Sequence, residues 1–158
     1  MNFAIQLKQF DVKQISFLDS KKNMLMDGYF TKINYLNRYF TMNGLFFYIP
    51  IKIKYMLKER SSVKFDPYLP ENHLSIQKFS AIENEILDFY IMNKQTELNK
   101  QLLFAKQLFN GVLKLNIDNS IQEINDEQFV VKISGVWEAN KEIGITYKLF
   151  KGEQIFNF

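Results

Sequence analysis

Two stretches of this chain set aromatic and basic side chains at every second position. Phe30, Lys32 and Asn34 form one series; Phe46, Tyr48, Lys52 and Lys54 form the other, with Pro50 in the gap. Lys132, Trp137 and Lys148 belong to two further alternating runs near the C-terminus. A spacing of two puts side chains on one face of an extended strand. Flat rings on such a face can stack on unpaired bases, at roughly 1–3 kcal/mol each, while ammonium groups follow the phosphates. Single-stranded nucleic acid is the partner this chemistry fits. The same rings would be plain core if a helical segment covered that face. Trp137 has a core reading of its own, closing one end of the interior with its indole N–H satisfied.

Other chemistries find little in the sequence to use. His73 is the only histidine and there are no cysteines, which leaves no triad, thiolate nucleophile, disulfide framework or cysteine-based metal site. His73, just after Pro67 and Pro70, reads as a loop residue. Glu83, Glu85 and Asp88 read as carboxylates in the first turns of a helix, where they meet the positive end of its dipole. Asp118, Glu123, Asp126 and Glu127 read as a solvated loop without the spacing of a calcium loop. Six scattered glycines build neither a G-x-x-x-x-G-K-[ST] nor a G-x-G-x-x-G phosphate cradle. The expectation is a protein that is not an enzyme and uses no metal or cofactor.

The elements that must carry these residues follow from turn chemistry and periodicity. Asp27-Gly28 and Asn43-Gly44 favour tight hairpins, and Asn37-Arg38 offers a weaker turn. They divide a meander with a strand within residues 12–26, then 29–36, 39–42 and 45–56. In the last, Leu45, Phe47, Ile49, Ile51, Ile53 and Tyr55 form an apolar face, and Pro50 marks an edge or a bend. Residues 57–79 read as an irregular connection with a short strand at 74–78. Ser80 to Glu83 has the form of a capping box, followed by the stripe Ile82, Ile86, Phe89 and Tyr90. Leu98, Leu102, Ala105 and Phe109 make a second stripe, stopped by Gly111. A strand from Val112 to Ile117 follows, and residues 129–137 and 143–150 read as a hairpin. There Phe129, Val131, Ile133 and Trp137 share a face, with Val131 and Ile133 buried and Lys132 exposed.

This order predicts one α+β domain spanning residues 1–158: a mostly antiparallel twisted sheet, or a small OB-like barrel, with a helical segment inserted before the last strands. The chain has the length of one domain, and 47% hydrophobic residues can fill its core. Aromatics at 16% exceed what that core needs, through either a working surface or an AT-rich genome. A net charge of +3 permits an anionic partner without requiring one. The N-terminal residues lack the apolar stretch of a secretory signal, and the longest apolar run, 44–51, is far short of the ~20 residues that span a bilayer. A soluble, intracellular protein with no membrane partner is expected.

The segments KNMLMDGYFTKINY, YFTMNGLFFYIPI and KISGVWEANKEIGITYKL, with the helix start SAIENEIL, resemble a group of small, largely uncharacterised proteins. These are encoded by large DNA viruses of protists and algae and by related mobile elements. The resemblance implies a role in viral DNA handling, in replication or packaging, in the host nucleus or cytoplasm. It brings no catalytic residues with it. The chain also departs from well-known viral single-strand binders, since its end, EQIFNF, is apolar rather than acidic. Two functions follow as expectations. One is a single-stranded DNA-binding replication accessory. The other is a structural or assembly protein that turns the same aromatics on protein. Ile155, Phe156 and Phe158 are expected to dock on the parent domain, on a second copy or on a viral partner.

Overall fold

The clearest alternating run in the sequence builds the longest strands. β10 (Gln128–Ala139) and β11 (Glu142–Gly152) pair antiparallel along their length. They are joined by Asn140 and Lys141, with φ of 52° and 63°. Two successive left-handed residues give a turn whose twist matches that of the strands. The structure, a computed structural model, describes residues 4–23, 27–57, 61–116 and 128–152.

β10 is the spine. Its C-terminal half pairs with β3 (Gly28–Leu36), and its N-terminal half with β5 (Leu45–Ile49). β1 (Ile15–Phe17), β2 (Lys21–Asn23) and β4 (Thr41–Asn43) flank β3, and β8 (Asn99–Lys100) runs parallel to β11. The sheet is mixed and curled, a half-barrel along β1-β3-β10-β11-β8. β1 and β8 end that path without pairing to each other. The expected α+β class therefore holds, but the OB-like barrel does not close. β6 (Ile53–Leu57), β7 (Ser62–Phe65) and β9 (Val112–Lys114) form a second, three-stranded sheet.

Asn43-Gly44 is not a hairpin turn. β4 pairs with β3 and β5 pairs with β10, so the chain changes partner at this point. Gly44, at φ 92°, supplies the left-handed residue for that change, and its N–H still donates to the Ile33 carbonyl. The Asn37-Arg38 turn fares better. Asn37 accepts from the backbone N–H groups of Tyr39 and Phe40, closing the β3–β4 link. β2 and β3 do pair, but Gly28 already lies in β3 opposite Asn23, so the connection is residues 24–27 rather than a tight Asp27-Gly28 turn, and 24–26 lie outside the described segments.

The strand expected over 45–56 stops at Ile49, because Pro50 has no N–H for the ladder. Ile53 then opens β6 in the other sheet, which leaves Tyr55 half exposed instead of in the core. Helix α1 (Pro70–Lys94) is much longer than the spacing predicted. Pro70 starts it, its fixed φ and missing N–H suiting the first turn. Residues 74–78 are helical, not a strand, and His73 lies in the first turn instead of a loop. Asn72 fastens this end. Its side chain accepts from the Lys52 N–H and donates to the carbonyls of Lys52 and Asp66. Ser80 is no cap either, since mid-helix its hydroxyl donates to the Ile76 carbonyl at 2.7 Å. Glu83, Glu85 and Asp88 consequently lie well past the first turn.

Helix α2 (Leu103–Asn110) ends at Gly111 as expected, with φ at 74°. Its buried stripe is Phe104, Ala105 and Leu108, leaving Leu102 and Phe109 exposed. Glu83 of α1 holds the start of α2. Its carboxylate is buried and accepts from the backbone N–H groups of Phe104 (3.0 Å) and Ala105 (2.9 Å). Burial pushes its pKa up, against the lowering effect of those two amides. Burial, then the Glu83 charge, raises the neighbouring Tyr147 hydroxyl to about 12, and that hydroxyl donates to Gln107.

Both helices pack on one face of the sheet. Phe79 of α1 meets Phe47 of β5 edge-on at 5.8 Å, and Phe104 of α2 lies 4.5 Å from Tyr147 of β11. Ile33, Leu45, Val131 and Ile133 complete that face, all fully buried. Burying each such side chain contributes roughly 1.5–3 kcal/mol. No described helix is long and apolar enough to cross a membrane.

Candidate nucleic-acid interface

The register assigns the sheet face opposite the helices. Directly paired residues share a side, so the ladder can be read as rows running across strands. One row is Lys21, Phe30, Trp137 and Gly144, from β2, β3, β10 and β11. The next is Lys32, Gly135 and Thr146. Beyond the handover from β3 to β5 come Phe46, Lys132 and Lys148, then Tyr48, Val130 and Phe150. No Asp or Glu stands in these four rows.

A bulge between Ile133 and Gly135 shapes this face. One extra residue inverts the alternation of β10, so Val131, Ile133 and then Val136 point to the core while Gly135 and Trp137 point away. The expectation that Trp137 shares a face with Val131 and Ile133 is thus overturned, and its core reading falls with it. Trp137 and Phe30 stand outside the core cluster, whereas Phe46 packs against its margin.

Two glycines let the rings lie close to the backbone. A Cβ on Gly144 would sit 2.6 Å from Nε1, Cε2 and Cζ2 of Trp137. A Cβ on Gly135 would meet the Thr31 carbonyl oxygen at 2.2 Å and Cζ of Phe30 at 2.8 Å. An open cleft of about 590 Å³ is lined by Phe30, Trp137 and Thr146, with Lys21 at the β2 end and Leu103 of α2 at the other.

The cations are arranged around these rings. Lys132 extends its ammonium over Phe46, 5.4 Å from the ring centre, and is half buried. Lys32, Lys21 and Lys148 are exposed. Among the described residues the ion pair is Lys100 with Asp88, which leaves these four lysines without a carboxylate partner. Burial raises the pKa of the Tyr48 hydroxyl.

Of the residues singled out from sequence, Phe30, Lys32, Phe46, Tyr48, Lys132, Trp137 and Lys148 come together here. Asn34 continues the same side of β3 past Lys32, between Ser16 and Asn43. Lys52 and Lys54 do not join them. Lys52 sits in the Pro50 bend with its backbone tied to Asn72, and Lys54 lies at an irregularity in β6. Sequence reasoning missed Lys21, Thr146 and Phe150. Phe150 alternates with Lys148 and was open to the same reasoning, whereas Lys21 enters only through its register with Phe30. Ile155, Phe156 and Phe158, and the acidic run at Asp118, Glu123, Asp126 and Glu127, lie outside the described residues. Among the described residues no group of three or more His, Asp or Glu is placed to hold a metal ion. In comparisons with known proteins, no family model, no curated protein and no solved structure matches this chain.

Proposed function

We propose that this protein binds single-stranded nucleic acid along the helix-free face of its half-barrel, by stacking and phosphate contacts, without catalysis. The observation that carries this reading is the row Phe46, Lys132 and Lys148. A ring and two cations stand side by side there, on a face whose four rows hold no carboxylate. Such a face attracts phosphates and offers π-surfaces to bases of any identity, which favours binding with little sequence preference. Both helices pack on the opposite face, with Leu103 at the start of α2 reaching the margin of this one. Viral DNA replication is the setting that the sequence resemblance adds.

The test is anisotropy of a labelled oligothymidylate at about 50 mM and about 200 mM salt, since single-strand affinity falls with salt in proportion to the phosphates contacted. Saturable binding that weakens with salt supports the reading; no binding at the lower salt removes it. The row Tyr48, Val130 and Phe150 carries no charge and favours a second reading, an assembly surface for a protein partner or a second copy. That reading leads if the oligonucleotide does not bind and the protein self-associates in solution.

A further inference from the structure

We infer that the cleft beside Trp137 is a pocket for one unpaired nucleotide, its base against Trp137 and Phe30 and its phosphate on Lys21. This rests on the single-strand reading above and assigns one nucleotide of the strand to a particular place.

The volume of about 590 Å³ falls among small-molecule sites, which run from ~300 to 1,000 Å³. Its walls are chemically divided. Phe30 and Trp137, paired directly across β3 and β10, form the aromatic floor. Leu103, at the start of α2 and 42% exposed, closes the far side around the edge of β11. Lys21 stands exposed on β2 at the other mouth, in the row of Phe30, while Lys22 pairs with Tyr29 and alternates to the other side of the strand; among the described residues no carboxylate lines the cleft. A nucleotide has the same division, with an apolar ring at one end and an anion at the other.

Trp137 is positioned for this task rather than for packing. Gly144 has no side chain to hold the indole off β11, and the ring's Nε1–Cε2–Cζ2 edge occupies the place of its Cβ. The indole is therefore fixed against the backbone while it lines the cleft, and a fixed ring loses little freedom on stacking. Thr146, next to it on β11, offers a hydroxyl to the edge of a base. Five residues of β10 at ~3.3 Å each separate Trp137 from Lys132, so the cleft and the basic row, about 16 Å apart, would hold different nucleotides of one strand.

Trp137 is the only tryptophan among eight tyrosines, so emission excited at the red edge, where tyrosine does not absorb, reports on this cleft alone. The experiment titrates the full chain with thymidine monophosphate, thymidine, oligothymidylate and oligouridylate, following emission together with anisotropy of a labelled strand. Oligonucleotide and mononucleotide should both quench Trp137 saturably. The variant Lys21→Gln should bind the monophosphate about tenfold more weakly, with thymidine unaffected, because a charged hydrogen bond is lost. Equal quenching by the two oligonucleotides supports recognition of the shared nucleotide chemistry rather than of the sugar. Anisotropy that rises while emission stays constant, in wild type and in the Lys21→Gln variant, overturns the cleft assignment and leaves the single-strand reading standing. Quenching by the monophosphate without strand binding does the reverse. Neither response overturns both.

Discussion

Lys132 stands directly opposite Lys148 across the β10–β11 pair. Like charges placed so cost stability, by an amount on the scale of ordinary cross-strand pairs, roughly 0.2–1 kcal/mol. The contact of Lys132 with the Phe46 ring offsets this by a similar amount, ~0.5–1 kcal/mol at an exposed site. Folding alone therefore gains little from having both lysines, and a polyanion gains a pair of adjacent contacts.

Lys148→Gln separates these two demands. Urea melts should show stability unchanged or raised by about 0.5 kcal/mol, since the repulsion is removed. The slope of log affinity against log salt should become shallower by about 0.7, one phosphate contact on a single strand. A fall in stability with an unchanged slope would mean that Lys148 serves the fold.

The two glycines under the rings should differ in their sensitivity. Gly135→Ala drives a Cβ into the Thr31 carbonyl, which is backbone and cannot turn aside. Gly144→Ala meets only the Trp137 indole, a side-chain group that can move. Thermal or urea unfolding should place the Gly135 variant about 2–3 kcal/mol below wild type and the Gly144 variant about 1 kcal/mol below. Only the latter should shift Trp137 emission with the fold otherwise intact. Equal losses would show that the indole is as immobile as backbone.

Glu83→Ala leaves the amides of Phe104 and Ala105 buried without their acceptor and should cost about 3 kcal/mol. Its pH dependence has a definite sign. Burial raises the folded pKa of Glu83 above its unfolded value, so the folded protein holds this proton more tightly. The contribution of Glu83 is then largest below the ordinary carboxylate range and declines as pH rises through the raised folded pKa. Urea melts across pH should show the difference between wild type and variant shrinking through that window and level above it. A difference that grows with pH would mean that the amide hydrogen bonds outweigh burial.

How far the sequence could be read depended on whether a signal was local. Val131 and Ile133 are buried, with Lys132 on the other side, because alternation along β10 is intrinsic to the strand. Gly111 stops α2 because a left-handed cap is a one-residue requirement. The bulge after Ile133 is different. It arises where β3 gives way to β5 against β10, and Gly135, its one local mark, was read as part of a regular strand. Gly44 was legible as a left-handed residue, but its use, a change of pairing partner, is a tertiary matter. Pro70 carries two meanings, breaker and first helical residue, and the wrong one shortened α1 by ten residues, 70–79. Glu83 had the pattern of a local cap and proved to be a cap for another helix. The site residues followed the same division. Phe30, Lys32, Phe46, Tyr48 and Lys132 were placed by alternation, which put Trp137 on the wrong face because of the bulge, while Lys52 and Lys54 were assigned to the face by extending it past Pro50.

That last difference supplies the most direct test of the central claim. The measurement is the salt dependence of oligothymidylate affinity in wild type and three variants. Phe46→Ala should bind about 1–3 kcal/mol more weakly with the slope kept, because stacking releases no counterions. The double variant Lys132→Gln, Lys148→Gln should flatten the slope by about 1.4, two contacts at ~0.7 each. Lys52→Gln with Lys54→Gln, outside the four rows, should match wild type. No wild-type binding at low salt would contradict the account, as would a slope that responds to Lys52 and Lys54 but not to Lys132 and Lys148.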